Sequence, residues 1–363
     1  MPDASDKPSI SAPLAQEPVR GHVSIDDVAS AAGVSTATVS RVLNRLPTVA
    51  PATADRVRTV MAQLGYQPNP LARGLGSGKS RVLGLALPRF HGEFMSFLLD
   101  GADEEATALG YHLMTTTIVR EGSGQPGSRV AGSGLVEGML VVVTDIGDSY
   151  ADEARAAGLP VVVLDTDLTE KGLDSAVLDN EKGTREAVEH LLRWTPAASI
   201  FFVGGPHGNF DTQQRAQAFR RTLSTHGAAV AEGQVSFADY SLEWGKEWLL
   251  RAVQRGTLFR SDSSDKCAAV LAANDKIACG IIHGAKEVGV QVPEQLRVVG
   301  FNDSLIARIV QPRLSTVSLP MAELGATAVR MLVRRMEHPS AEPVCRRLPT
   351  SLVIRESSTA IRF

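Results

Sequence analysis

Aromatic residues are scarce in this chain of 363 residues, at 5%, and there are three cysteines. Cys267, Cys279 and Cys345 lie far apart and lack CxxC spacing, so they read as reduced thiols rather than metal ligands or disulfide partners. No apolar run reaches the roughly 18 residues that cross a bilayer. The first 21 residues lack the apolar stretch of a secretory signal. The expected location is the cytoplasm, with no membrane partner. Catalytic signatures are also missing. There is no P-loop, GxSxG or HExxH, and the histidines are not paired with carboxylates at metal spacing. Gly204-Gly-Pro-His-Gly208 is glycine-rich but lacks GxGxxG order and a following lysine, so it reads as a turn. The expectation is no enzyme, no metal and no cofactor.

A net charge of −3 gives no whole-chain sign of a nucleic acid partner. The distribution differs from the total. From His22 to Arg81 seven cations stand against three anions, leaving the remainder acidic. A basic N-terminal module on an acidic body is the asymmetry expected when one part meets phosphate. A solvated charged face would give the same count. Residues 1–21, rich in Pro, Ser, Ala and charge, are expected to be a disordered tail. At this length, two or three domains are expected.

Ser24 has the hydroxyl to cap a helix, with Asp26 and Asp27 at the positive end of its dipole. Ile25, Val28, Ala29 and Ala32 then recur on one face, and Gly33 suits a left-handed ending. Ser35 can cap a second helix, which turns Val39, Val42 and Leu43 inward and Thr36, Ala37, Thr38, Ser40 and Arg41 outward. Two short helices around a glycine turn, with a polar face on the second, predict a helix-turn-helix over 22–66. Pro51 opens a third helix, on which Val57, Val60, Met61 and Leu64 should face inward before Gly65 closes it. Residues 67–80 follow, with two prolines and Leu71, Ala72 and Leu75, a segment too short and glycine-rich to be a stable helix alone.

The string Val23-Ser-Ile-Asp-Asp-Val-Ala-Ser-Ala-Ala-Gly-Val-Ser-Thr-Ala-Thr-Val-Ser-Arg-Val-Leu-Asn44 closely resembles the DNA-binding motif of the lactose/galactose repressor (LacI/GalR) family. The resemblance implies that 67–80 is a hinge helix in the minor groove, with Leu75 as an apolar wedge between base pairs and Arg73 beside it. Without that resemblance the segment is a plain linker. Gly74 departs from the family's better helix formers, and Ala50 replaces the usual Ser or Thr cap, at about 1 kcal/mol. The recognition-helix reading nominates Thr36 and Ala37 for base edges, and Arg41 for a guanine edge or a phosphate. Ser35, Thr38, Ser40 and Asn44 are further DNA contacts, the hydroxyls positioning on phosphate. A homodimer on a near-palindromic, double-stranded operator is implied.

From Arg81 onward the pattern changes. Apolar runs at 82–87, 111–116, 138–144, 160–164, 199–203, 267–272 and 296–300 are mostly separated by helical patterns. That alternation predicts an α/β doubly wound parallel architecture. Ligands of such sheets bind beyond the carboxyl ends of the strands. This nominates Asp165, Asn274-Asp275, Asn302-Asp303, and Arg215 after Gly204-Gly-Pro206.

Pro160-Val-Val-Val-Leu-Asp165, Val177-Leu-Asp-Asn180, Ala273-Asn-Asp-Lys-Ile-Ala278, Val298-Val-Gly-Phe-Asn-Asp303 and Pro312-Arg-Leu-Ser-Thr-Val317 resemble the regulatory core of the same family. The implied core spans 81–358 and is similar to periplasmic sugar-binding proteins. Lobe 1 covers about 81–179 and 315–345, and lobe 2 about 180–314 and 346–358. By position Arg215, Asn274 and Asn302 match groups that bond sugar hydroxyls, and Asp165 matches a further polar contact. Tyr240 and Phe90 match apolar walls. Each has a structural alternative, such as Asn274 capping a helix or Asp303 holding a loop. The chain departs from the family at Asn302, where Asp is usual, and across Glu121–Gly134, which holds five glycines and a proline.

The function implied is a DNA-binding repressor released by a small-molecule effector, expected to be a sugar. Corepression by the ligand, control by a nucleobase or protein partner, and a solute-binding protein are the alternatives.

Overall fold

The computed structural model describes residues 23–44, 46–66, 80–88, 93–117, 130, 133–144, 150–258 and 267–359. It forms two compact units, Met1–Lys79 and Ser80–Phe363. The expected tail, most of the hinge (including Arg73 and Leu75), Phe90, and most of Glu121–Gly134 lie outside the described residues.

The described residues of the first unit form three helices: α1 (Ile25–Ala32), α2 (Thr36–Leu43) and α3 (Pro51–Leu64). Ser24 caps α1 in a reciprocal box. Its hydroxyl accepts from the Asp27 N–H at 3.2 Å, and the Asp27 carboxylate accepts from the Ser24 N–H at 2.8 Å. Those bonds hold the Asp27 carboxyl below its ordinary range. Gly33 ends α1 at φ 64°, a left-handed conformation that costs glycine little. Val28, Ala29, Ala32, Val39, Val42, Ala54 and Val57 form the buried core. Val60, Met61 and Tyr66 pack against it, but Leu64 is exposed. Ala50 makes no side-chain cap.

The second unit holds two six-stranded sheets, and the α/β expectation stands. The first takes β1 (Val82–Leu87), β2 (His112–Thr117), β3 (Gly138–Val142), β4 (Val161–Leu164), β5 (Asp174–Leu178) and β11 (Cys345–Leu348), in the order β11-β5-β4-β3-β1-β2. All its pairings are parallel. The second takes β6 (Ile200–Gly204), β7 (Val235–Phe237), β8 (Ala268–Ala272), β9 (Leu296–Asn302), β10 (Ser315–Ser318) and β12 (Ser351–Val353), in the order β12-β10-β9-β8-β6-β7. Only β12 runs antiparallel there, against β10. Strands β1, β3, β4, β6 and β8 are buried throughout, which is why they read as unbroken apolar runs.

The chain crosses between lobes after β5, after β10 and after β11. β10 therefore belongs to the second sheet, and the boundary expected near 314 falls after Ser318. The reason is pairing, since Ser315–Ser318 is in register with Val299–Asn302 of β9. The segment then returns to the first lobe, where α11 (Met321–Glu337) packs on α4 (Glu93–Ala108). Gly101 and Gly325 let those helices touch backbone to backbone: a Cβ at Gly101 would strike the Ala322 carbonyl, and one at Gly325 the Leu98 carbonyl. The second lobe repeats the device, with Gly245 of α8 (Leu242–Gln254) against Ile277 of α9 (Asp275–Glu287).

Both sheets reverse strand order beside their first strand, at β1 and at β6. Their carboxyl ends carry the polar groups described next.

Candidate functional site

Two sets of residues stand out, one in each unit. In the first unit, Ser35, Thr36, Ala37, Arg41 and Asn44 are exposed on or beside α2, and Thr38 and Ser40 are half-buried. The Ser35 hydroxyl is already engaged, capping α2 by accepting from the Thr38 N–H at 3.3 Å and bonding the Thr38 hydroxyl at 3.0 Å. Thr36 and Ala37 are exposed in the first turn of α2, the part of a recognition helix that meets base edges, and Arg41 is exposed in its last turn.

In the second unit, a cleft of about 380 Å³ is lined by Met95, Thr144 and Asp165 from the first lobe. Asn209, Asp211, Arg215, Tyr240, Asn274, Asp275 and Asn302 are among those lining it from the second. The size falls within the range of small-molecule sites. Of the sequence-nominated residues it brings together Arg215, Asn274, Asn302, Asp165 and Tyr240; Phe90 lies outside the described residues. Asp165 (φ 71°) and Asn302 (φ 115°) both hold left-handed backbone, which non-glycine residues adopt at a cost and which clusters at functional sites.

Arg215 occupies the second turn of α7 (Phe210–Thr225) and is 3% exposed. Its Nε donates to Asn180 Oδ1 at 2.8 Å and one terminal N–H to the Ala273 carbonyl at 2.7 Å. The other lies 3.4 Å from the Asp211 carboxylate, and the guanidinium sits 4.0 Å above the Phe301 ring. Asn180, at the start of α6 (Asn180–Leu192), in turn donates to Asp211 at 2.8 Å. Arg215 thus fixes the cleft wall by joining α6, α7 and the end of β8.

Asn274 realises its structural alternative while lining the cleft, since its Oδ1 accepts from the Ile277 N–H at 2.8 Å and caps α9. Tyr240 lies against Gly205, where a Cβ would collide with the ring. Its hydroxyl donates to Asn209 Oδ1 at 2.7 Å. Asp303 is also structural, paired with Arg355 at 2.6 Å and Arg308 at 3.2 Å.

The sequence reading missed Asn209 and Asp211. Asn209 caps α7 by accepting from the Thr212 N–H, and its Nδ2 reaches across the cleft to the Thr144 carbonyl at 3.0 Å. The Phe210 N–H donates to the same carbonyl at 2.9 Å, and the Phe210 ring packs on a first-lobe cluster. A polar cap directly after a strand and its turn was the available signal.

The carboxyl groups of the cleft are perturbed by burial. Burial pushes Asp275 up to about 6, against hydrogen bonds donated by Thr316 and Ser304. Asp165 goes further, to about 8, raised first by burial and then by the charge of Asp211, with Arg215 opposing. Its Oδ1 is buried without a hydrogen-bond partner. A carboxyl whose folded pKa is raised favours the folded state below its unfolded value of 3.8 and loses that contribution as pH rises toward 8. Asp165→Asn is therefore expected to flatten the pH dependence of melting between those values. At pH 8 it should melt at least about 4 °C above the parent. A variant that melts below the parent at pH 8 would contradict this.

Residues 24–69 match the model of the bacterial regulatory proteins, lacI family, and residues 188–358 that of a periplasmic binding protein-like domain. Catabolite control protein A of Staphylococcus xylosus is 32% identical over 86% of this chain and 92% of its own. A crystal structure of the lac repressor dimer bound to operator and the anti-inducer ONPF superposes with a TM-score of 0.80 at 26% identity, covering 93% of this chain and 99% of that one. A complex of the transcriptional regulator CelR with cellobiose gives 0.69 at 27% identity, covering 93% and 100%. Among the described residues no helix is long and apolar enough to cross a membrane.

Proposed function

The chain belongs to the lacI family of bacterial regulatory proteins, and on that premise we propose that it is an operator-binding homodimer whose hold on DNA is set by a sugar-like effector in the cleft. One observation carries the reading. A three-helix unit with a polar, exposed α2 face shares a chain with a polar cleft at the carboxyl ends of two parallel sheets. The operator in the lac repressor structure and the cellobiose in the CelR structure support it.

Thr36, Ala37 and Arg41 read base edges, and Ser35, Thr38, Ser40 and Asn44 position the helix on the backbone. Arg41 carries the largest share, since a planar guanidinium pairs with guanine in two bonds. Leu75 and Arg73 serve the minor groove. In the cleft, Asn274, Asn302 and Asp165 meet the ligand, Tyr240 forms a wall, and Arg215 holds the wall in register. The effector acts by binding the operator-competent and operator-free states with different affinity, which fixes the coupling between the sites.

The test is operator selection from random DNA at one stated salt, followed by binding with and without a panel of mono- and disaccharides. A near-palindromic site whose affinity shifts at least about fivefold with one sugar is the expected result. Weakening by that sugar defines induction and tightening defines corepression. Affinity unmoved by every saccharide would remove the sugar assignment, and no selected site would remove the operator.

A further inference from the structure

Among the described residues, the charged side chains lining the cleft are Asp165, Asp211, Asp275, Arg215 and Lys276. They are not equally available to a ligand. Asp275 accepts from the Thr316 hydroxyl at 2.6 Å and from the Ser304 N–H and hydroxyl at 2.8 and 2.7 Å, so its charge is met within the chain. Arg215 is held by Asn180, Ala273 and Asp211, with Phe301 covering its face. Lys276 is exposed at the rim. Asp165 remains: it is 4% exposed, has one oxygen without a partner, and lies in the field of a second carboxylate, Asp211.

Asp165 and Asp211 therefore line the cleft with one buried guanidinium, which is ion-paired with Asp211 at 3.4 Å. A hydroxyl from a neutral sugar can bond Asp165 only in its protonated form, whereas a cation would match the ionised one. A buried charge without a partner is costly, so the group takes a proton or a cation instead.

We infer that the effector is a polyhydroxylated primary amine of the amino-sugar class, with its ammonium group set against Asp165 and Asp211. This rests on the effector reading of the cleft. In the free protein a proton occupies Asp165, consistent with burial pushing its pKa up to about 8. On binding, the ammonium replaces that proton, which passes to solvent, and the hydroxyls of the ligand face Asn274 and Asn302. A neutral sugar binds the protonated acid and releases nothing.

The test is calorimetry of the full chain near pH 7 with glucosamine, galactosamine and mannosamine, each against its parent hexose. The measurements are run in phosphate and in imidazole, neither of which is a primary amine. At least one amine is expected to bind about tenfold tighter than its hexose, the equivalent of one pKa unit. Its heat should differ between the buffers because a proton is released. Asp165→Asn and, separately, Asp211→Asn should bring the pair within about twofold, with melting confirming that each variant is folded. A hexose that binds as tightly as its amine overturns the amine assignment and leaves a sugar effector standing. So does an amine bound with heat identical in both buffers. No binding by any of the six overturns the amine assignment too, and the effector reading is then decided by the wider saccharide panel.

Discussion

Replacing Arg215 by alanine is expected to destabilise the second unit by about 3–5 kcal/mol and to abolish the response to effector. The size follows from what the side chain holds. Its removal leaves the Ala273 carbonyl and the Asn180 amide oxygen without donors in a buried wall, uncovers the Phe301 ring, and strands Asp211 beside Asp165 with no cation between them. Breaking a buried charge pair by deleting one partner is among the costliest single changes, because the other charge is left uncompensated. Urea unfolding gives the first quantity and operator binding with effector the second. Arg215→Lys should recover little, since an ammonium cannot serve Asn180, Ala273 and Asp211 with one planar fork. A loss under about 1 kcal/mol with the response intact would mean that the hydrogen bonds of Arg215 are replaceable.

Removing residues 1–79 is expected to reduce operator binding below detection, by more than about 10³-fold, while effector affinity stays within about twofold. The first unit has a hydrophobic core of its own around Val28, Val39 and Val57, and every described residue assigned to DNA belongs to it. The cleft draws all its lining residues from the second unit, whose sheets and helices remain complete. Mobility shift at fixed salt measures the first effect and calorimetry the second. Retained operator binding by the shortened chain would refute the assignment of α2. Lost effector binding with a normal melting curve would instead mean that the cleft depends on the N-terminal unit.

The helix-turn-helix was readable because its signals are local: Ser24 and Asp27 close a box within four residues, and Gly33 takes the turn only a glycine takes cheaply. The central strands were readable for a different reason, since burial on both faces leaves them no polar positions. Of the four edge strands only β2 was readable. β11 reads Cys-Arg-Arg-Leu with both arginines exposed, and β7 and β12 have three residues each, so neither composition nor period marks them. Which lobe owns β10 depends on its pairing with β9, which no local pattern encodes. In the cleft, Arg215, Asn274, Asn302 and Asp165 were legible as polar groups following strands. Their division of labour was not. That Arg215 spends its donors on Asn180 and Ala273, and that Asp165 keeps an oxygen unpartnered, are facts of packing between segments far apart in the chain.

The late position of β11 bears on how the protein is made. β5 ends at Leu178, yet its outer neighbour begins at Cys345, and the helix that covers the first sheet, α11, begins at Met321. At ribosomal speeds of roughly 5–20 residues per second, the interval is on the order of ten seconds. The five parallel strands of the second sheet, β6 to β10, are all synthesised within it. Those parallel strands can therefore pair on the ribosome while the first sheet still shows an unpaired strand edge and an apolar face awaiting Leu324, Val329 and Leu332. A nascent chain in that condition is a natural client for holding chaperones. A stop codon anywhere between 180 and 345 would remove both β11 and β12 and yield a polypeptide with both sheets incomplete, prone to aggregation and proteolysis.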